Sequence, residues 1–197
     1  MRDTDLAFVQ RLRDAHKIVG PVLELGAGYG GPTARCLFDN GTAYFTTDLT
    51  GDVDYCADFE STTIKLPVAF RTILILNILE HVFEPLKVLD NALRLLLPGG
   101  SLVITTPAIW SLHGYPIDCC RLLPNFYERY AETRGLALDP DAFDYLEYGP
   151  VRDARNHFGN LQYPFSRWLL LCRLFRARLS IGARLEKPHA ATMAISA

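Results

Sequence analysis

A chain of 197 residues, 49% hydrophobic and 21% charged, is long enough to bury one substantial core and has the composition of an ordinary globular protein. Its 20 Lys and Arg against 22 Asp and Glu leave no global attraction to nucleic acid, so no nucleic-acid partner is expected. Charges at Arg2, Asp3, Asp5, Arg11, Arg13, Asp14 and Lys17 interrupt any secretory signal, no apolar run approaches the roughly 20 residues of a membrane span, and the five cysteines lack a C-x-x-C spacing, which together predict a cytoplasmic protein with reduced, packed thiols and no metal.

Leu6, Val9 and Leu12 recur at helical spacing after Thr4 and Asp5, which read as a cap, and Gly20-Pro21 reads as the stop. A strand over 22–25 runs into Gly26, Gly28, Gly30 and Gly31. Pro32 suits the first turn of a helix over 32–40, with Gly41 closing it, and 43–47 reads as a second strand ending at Asp48. The stretch 51–67 is polar and turn-rich, as a loop around a ligand would be, whereas 70–77 is almost unbroken apolar sequence of the kind found in a central parallel strand. A helix over 85–97 carries Leu86, Leu89, Leu93 and Leu96 on one stripe, Pro98-Gly99-Gly100 ends it, and a further strand occupies 101–105.

Strand and helix alternate through this region, which predicts right-handed crossovers and an α/β sheet, doubly wound, with helices on both faces and ligands at the carboxyl ends of its strands. Beyond Pro107 a loop leads to a helix over 124–134, a strand near 143–147, a second long helix over 164–179 and an apolar end, 190–196, that reads as a terminal strand or a frayed tail. The chain is expected to form one domain over 1–197, with 1–107 as a cofactor half and 108–197 supplying a substrate loop, lid helices and the last strands.

The glycine turn admits two readings. Gly26, Gly28 and Gly31 fit the dinucleotide pattern G-x-G-x-x-G, with Asp48 placed for a ribose hydroxyl, while Glu24, Gly26, Gly28 and Gly30 fit E-x-G-x-G-x-G. Three later stretches separate them. Asp48 in "TTDLT" and Asp58 in "ADFE", then "LILNILEHV" with Glu80-His81, then "NALRLLLPGGSLVITTP", resemble in order and spacing the class I S-adenosylmethionine-dependent methyltransferases of the type 11 family, over 22–107. Arg71 departs from that pattern, standing near where the family commonly has an acid.

The resemblance implies a Rossmann-like, doubly wound, seven-stranded, mostly parallel sheet and S-adenosyl-L-methionine as cofactor. Gly26, Gly28 and Gly30 would admit its methionine and ribose part, Glu24 would position it from below, Asp48 with Leu49 would take the ribose, Asp58 and Phe59 the adenine, and Asn77 the methionine end. In each case a purely structural use of the side chain is the competing reading. The loop "HGYPIDCCRLLP" resembles a motif in a branch of the same family, matching at His113, Pro116, Asp118 and Arg121 but carrying Cys119 for its Tyr and Leu122-Leu123 for its aromatic-Thr pair.

Histidine titrates near neutral pH, so His113 and His81 are the candidate bases, and Asp118 and Arg121 either hold a substrate or clasp each other to close the loop. That branch often accompanies sugar and polysaccharide biosynthesis, which implies a small-molecule acceptor, a hydroxyl of a sugar or other metabolite. The basic, leucine-rich stretch 168–179 offers weak membrane-surface contact, a lid or ordinary packing. Two rival functions stand beside a methyltransferase: a methyltransferase-like scaffold or partner subunit without catalysis, and an NAD-binding oxidoreductase.

Overall fold

The computed structural model describes residues 3–28, 33–39, 41–62, 64–110, 117–148 and 178–189. Five strands run parallel: β1 (Val22–Leu25), β2 (Tyr44–Asp48), β3 (Tyr55–Cys56), β4 (Phe70–Leu76) and β5 (Leu96–Ile109). Three more pair antiparallel through β8 (Arg178–Glu186), which lies between β5 on one flank and both β6 (Ala137–Leu138) and β7 (Asp144–Tyr148) on the other. The order is β3-β2-β1-β4-β5-β8-β6, with β7 sharing β6's flank, so the eight strands among the described residues fill seven positions. Strand order reverses between β1 and β4, the topological switch point where ligands bind in open α/β sheets.

Alternation along the strands divides the core. Leu23, Leu25, Ile73, Ile75, Leu102 and Ile104 face α2 (Pro85–Leu95) and α3 (Pro124–Arg134). Val22, Leu74, Leu76 and Val103 face α1 (Asp3–Asp14) through Phe8, Val9 and Leu12. Arg71 is the one exposed position of β4, so its departure from the acid pattern leaves the strand intact.

Several expectations need correction. α1 ends at Asp14, before Gly20-Pro21, because His16 (φ 56°) turns left-handed while Lys17 N–H bonds Leu12 O and His16 N–H bonds Arg13 O, a closing motif that completes the helix early. The helix expected over 32–40 is only a 3-10 turn, Ala34–Leu37, in the part described. Phe38 leaves it in extended conformation to pack on Tyr44, and Arg35 reaches Tyr44 O and Asp54, so tertiary bonds outcompete local helix propensity.

The buried face of α2 is Val88, Leu89, Ala92 and Leu95, with Leu86 exposed, and the helix stops at Leu95, where β5 begins five residues earlier than expected. The helix expected over 164–179 lies outside the described residues except for its end, where Arg178 and Leu179 already belong to β8. The strand expected over 190–196 also lies outside them. Of the thiols, Cys36, Cys56 and Cys119 are free and exposed rather than packed, because each sits on a turn, edge strand or loop.

Candidate active site at the carboxyl ends of the strands

Asp48 ends β2 with its carboxylate turned toward the glycine turn that follows β1. Gly28 N–H donates to Oδ2 at 2.9 Å and Leu49 N–H to Oδ1 at 2.6 Å, and each carboxylate oxygen keeps a second lone pair for a ligand hydroxyl. The closeness requires glycine. A Cβ on Gly28 would stand 2.3 Å from Thr50 O and 2.8 Å from Asp48 Cβ, and Gly51 (φ +105°) brings its own backbone under Gly28 O. Gly26 (φ +74°) needs glycine for its backbone and because Ile78 Cδ1 occupies the side-chain space. The narrow packing of the turn is therefore between two strand ends of the protein itself. Gly30 lies outside the described residues.

Glu24 is buried in β1 beneath this turn. Both its oxygens accept Ala34 N–H, at 3.2 and 3.1 Å, and Oε2 accepts the Tyr44 hydroxyl at 2.5 Å. Burial pushes its carboxyl above the usual range, against the opposing pull of those donors, and the same burial with the adjacent carboxylate pushes the Tyr44 hydroxyl up. Glu24 thus braces the exit of the glycine turn.

The 58–60 segment is fixed on α2. Asn91 Nδ2 donates to Phe59 O and Ser61 O, both at 2.9 Å, and Glu60 Oε1 accepts the N–H groups of Phe83 and Glu84 where α2 begins. Asp58 is exposed and accepts Glu60 N–H in a local turn, whereas the Phe59 ring is buried in the core.

At the tip of β4, Asn77 (φ 55°) donates from Nδ2 to Asp5 of α1 at 2.7 Å. The 3-10 turn Leu79–His81 follows and holds the segment 117–120: His81 Nδ1 bonds Ile117 O at 2.5 Å, Cys119 N–H donates to Glu80 O at 2.7 Å, and Cys120 Sγ to Leu79 O. An Nδ1 donor leaves the basic lone pair of a neutral His81 on Nε2, 3.8 Å from Glu80 Oε1. Arg121 clasps Asp118 with both terminal nitrogens, which raises the Arg121 pKa, and the Asp118 side chain is only 4% exposed. His113 lies outside the described residues.

Asp5, which reads as a cap, is instead fully buried, and its signal was present: positions 5, 8, 9 and 12 form one helical stripe, so an acid stood on the buried face. A separate cleft of about 520 Å³ beside α2, lined by Phe83, Leu86, Asp90 and Phe126 among others, shares no lining residue with the glycine turn. Among the described residues no cluster of three or more His, Cys, Asp or Glu is arranged to hold a metal, and no helix is long and apolar enough to cross a membrane.

These features define a class I methyltransferase fold. A family model described as a methyltransferase domain (Methyltransf_23) matches residues 4–168, and the chain belongs to that S-adenosylmethionine-dependent family. Solved structures share the fold at low identity. A candidate methyltransferase of Bacillus halodurans superposes with a TM-score of 0.64 at 16% identity, over 94% of this chain and 99% of that one. Phosphoethanolamine N-methyltransferase 2 of Haemonchus contortus, in complex with phosphomonomethylethanolamine and S-adenosylhomocysteine, gives 0.59 at 14%, over 95% and 53%. The [4+2]-cyclase SpnF gives 0.58 at 17%, over 94% and 82%. No curated protein matches the chain.

S-adenosyl-L-methionine is the cofactor, and the residues fit it. The cofactor presents a ribose diol rather than a pyrophosphate. The carboxylate of Asp48, held beside a close backbone turn with exposed apolar Leu49 next to it, has the acceptor chemistry a diol needs.

Proposed function

We propose that the protein transfers the methyl group of S-adenosylmethionine to a small-molecule acceptor, a hydroxyl of a sugar or other metabolite. The observation that carries this reading is Asp48, at the end of β2, pinned against Gly28 of the turn that leaves β1 beside the switch point of the sheet. The bound cofactor supplies a methyl group on a good leaving group, so the chain must orient the acceptor in line and take its proton.

In this reading Asp48 accepts the ribose hydroxyls, the turn from Gly26 through Gly28 to Gly30 approaches the methionine and ribose, and Glu24 acts by bracing that turn. Asp58 takes the adenine amino group, with Phe59 securing the segment from the core, and the backbone at Asn77 meets the methionine end. His113 is the acceptor's base, and His81 is the second candidate through Nε2. Asp118 and Arg121, paired with one another, shape the substrate loop over the cleft. The whole of 1–197 then works as one domain in the cytoplasm.

Calorimetric titration with S-adenosylhomocysteine, with NAD as control, tests the cofactor, and a radiolabelled methyl-transfer screen over hydroxylated sugars tests the acceptor. Micromolar binding of the former alone and label on a sugar hydroxyl are expected. Binding of NAD alone sinks the reading in favour of an oxidoreductase. Binding of neither favours a partner subunit, a reading for which the mutual pairing of Asp118 with Arg121 is the supporting observation. A complex of the Haloferax volcanii Trm112 activator with a methyltransferase of the same fold, at 16% identity, makes a protein partner the next thing to seek in that case.

A further inference from the structure

A carboxylate removed from water needs a donor, and Asp5 has no exposed surface although it lies in the first turn of α1. Its Oδ2 accepts Asn77 Nδ2 at 2.7 Å, across 72 residues of chain. Asn77 is one of only two non-glycine residues with positive φ among those described, and it sits where β4 ends, its own N–H still bonded to Thr105 O of β5 at 2.8 Å. The left-handed turn at Asn77 redirects the chain so that Ile78 lies over Gly26, with Ile78 Cδ1 where a Gly26 Cβ would be. A continuous path therefore runs from α1 through Asp5, Asn77 and Ile78 to the glycine turn.

Asparagine tolerates the left-handed region because its short polar side chain can be held by a local or tertiary hydrogen bond. Here the bond is tertiary and its acceptor is Asp5. That bond engages Asn77 Nδ2, so the direction in which the β4 tip presents its backbone to a cofactor depends on the φ angle that the bond maintains.

We propose that Asp5 is a positioning residue for the cofactor site: by holding the Asn77 side chain it fixes the left-handed turn that sets the 77–78 backbone and Ile78 against the glycine turn. The inference rests on the reading of this cleft as the S-adenosylmethionine site. It makes the N-terminal helix part of the binding apparatus, although no residue of that helix need touch the ligand.

The test is a double-mutant cycle read as the S-adenosylhomocysteine dissociation constant of the full chain, with circular dichroism and melting to confirm folding. Asp5→Ala is expected to weaken binding at least tenfold. In an Asn77→Gly background, where glycine enters the left-handed region unaided, the additional loss from Asp5→Ala falls below threefold, whatever Asn77→Gly does alone. Equal losses in both backgrounds overturn the proposal, because Asp5 then acts by a route that bypasses the turn. Asp5→Asn keeps an acceptor oxygen and is the informative variant if alanine does not fold. It stays within threefold of wild type, and a tenfold loss there assigns the effect to charge and overturns positioning. A wild-type protein that binds no S-adenosylhomocysteine overturns the cofactor reading itself, which is distinguishable because it needs no variant.

Discussion

Gly28→Ala is the sharpest perturbation of the site. The added Cβ would lie 2.3 Å from Thr50 O and 2.8 Å from Asp48 Cβ, against an ordinary contact of 3.4 Å or more, so the two strand ends must part by about 1 Å. Both obstacles are main chain or adjacent to it, so rotating a side chain gives no relief. Overpacking of this kind costs about 1–3 kcal/mol. Parting the strand ends also stretches the 2.9 Å bond from Gly28 N–H to Asp48 and moves the carboxylate proposed for the ribose. If that cost falls wholly on the bound state, affinity for S-adenosylhomocysteine drops about 5- to 150-fold, at about 1.4 kcal/mol per tenfold. Calorimetry with melting curves in parallel reads both quantities, and wild-type affinity in a folded Gly28→Ala protein would refute the placement of the cofactor beside Gly28. Gly135→Ala is the control: Gly135 caps α3 at φ +62° with nothing within 4 Å of a new Cβ. Its cost is backbone strain of about 1–2 kcal/mol, so melting falls while binding holds.

Other expectations follow from charge and pairing. The folded-state pKa of Glu24 is raised chiefly by burial, so the folded protein retains this proton to higher pH than the unfolded chain does. The stability it contributes is complete below the unfolded carboxylate value of about 4.3 and is lost as pH rises through the folded value. Glu24→Gln should therefore gain melting temperature relative to wild type on going from pH 4 to pH 8, and a difference that is flat with pH would contradict this. Arg121→Ala leaves the nearly buried Asp118 without its two-pronged partner and should cost about 1–3 kcal/mol, seen as faster amide exchange over 117–121. Arg121→Lys should recover less than half of that loss because one ammonium cannot reproduce the fork, and full recovery would mean that charge alone is enough.

The parallel half of the sheet was legible because β1 and β4 are short, mostly apolar runs buried on both faces, and β2 is an aromatic and β-branched run closed by Asp48. β8 was not. "RLSIGARLE" alternates apolar with polar residues, but its first two residues fall at the end of the basic, leucine-rich stretch that reads as a helix over 164–179, and its centre is Gly182. The structure gives Gly182 a packing reason, since a Cβ there would stand 2.8 Å from the Phe8 ring of α1. In the site, the position of Asp48 at a strand end was readable from local pattern. The partnership of Asp5 with Asn77 was not, because nothing in either neighbourhood names a residue 72 positions away. For Glu24 and the Asp118 and Arg121 pair, the sequence left structural and ligand roles open, and the geometry shows the structural bonds in place.

The position of β8 has a consequence for the order in which the protein can be made. The strand that joins β5 to β6 and β7 is the last of the eight described strands to leave the ribosome. Until it arrives, the β5 flank and the segments that become β6 and β7 have no partner within the sheet, and the nascent protein carries an open hydrogen-bonding edge of the kind that recruits other chains. The parallel strands can register as they emerge. Closure, by contrast, is an insertion between parts already synthesised, a contact of long sequence separation and correspondingly slow. Nascent chains stalled before residue 178 are therefore expected to depend on chaperones for solubility, and the same chains released at full length are not.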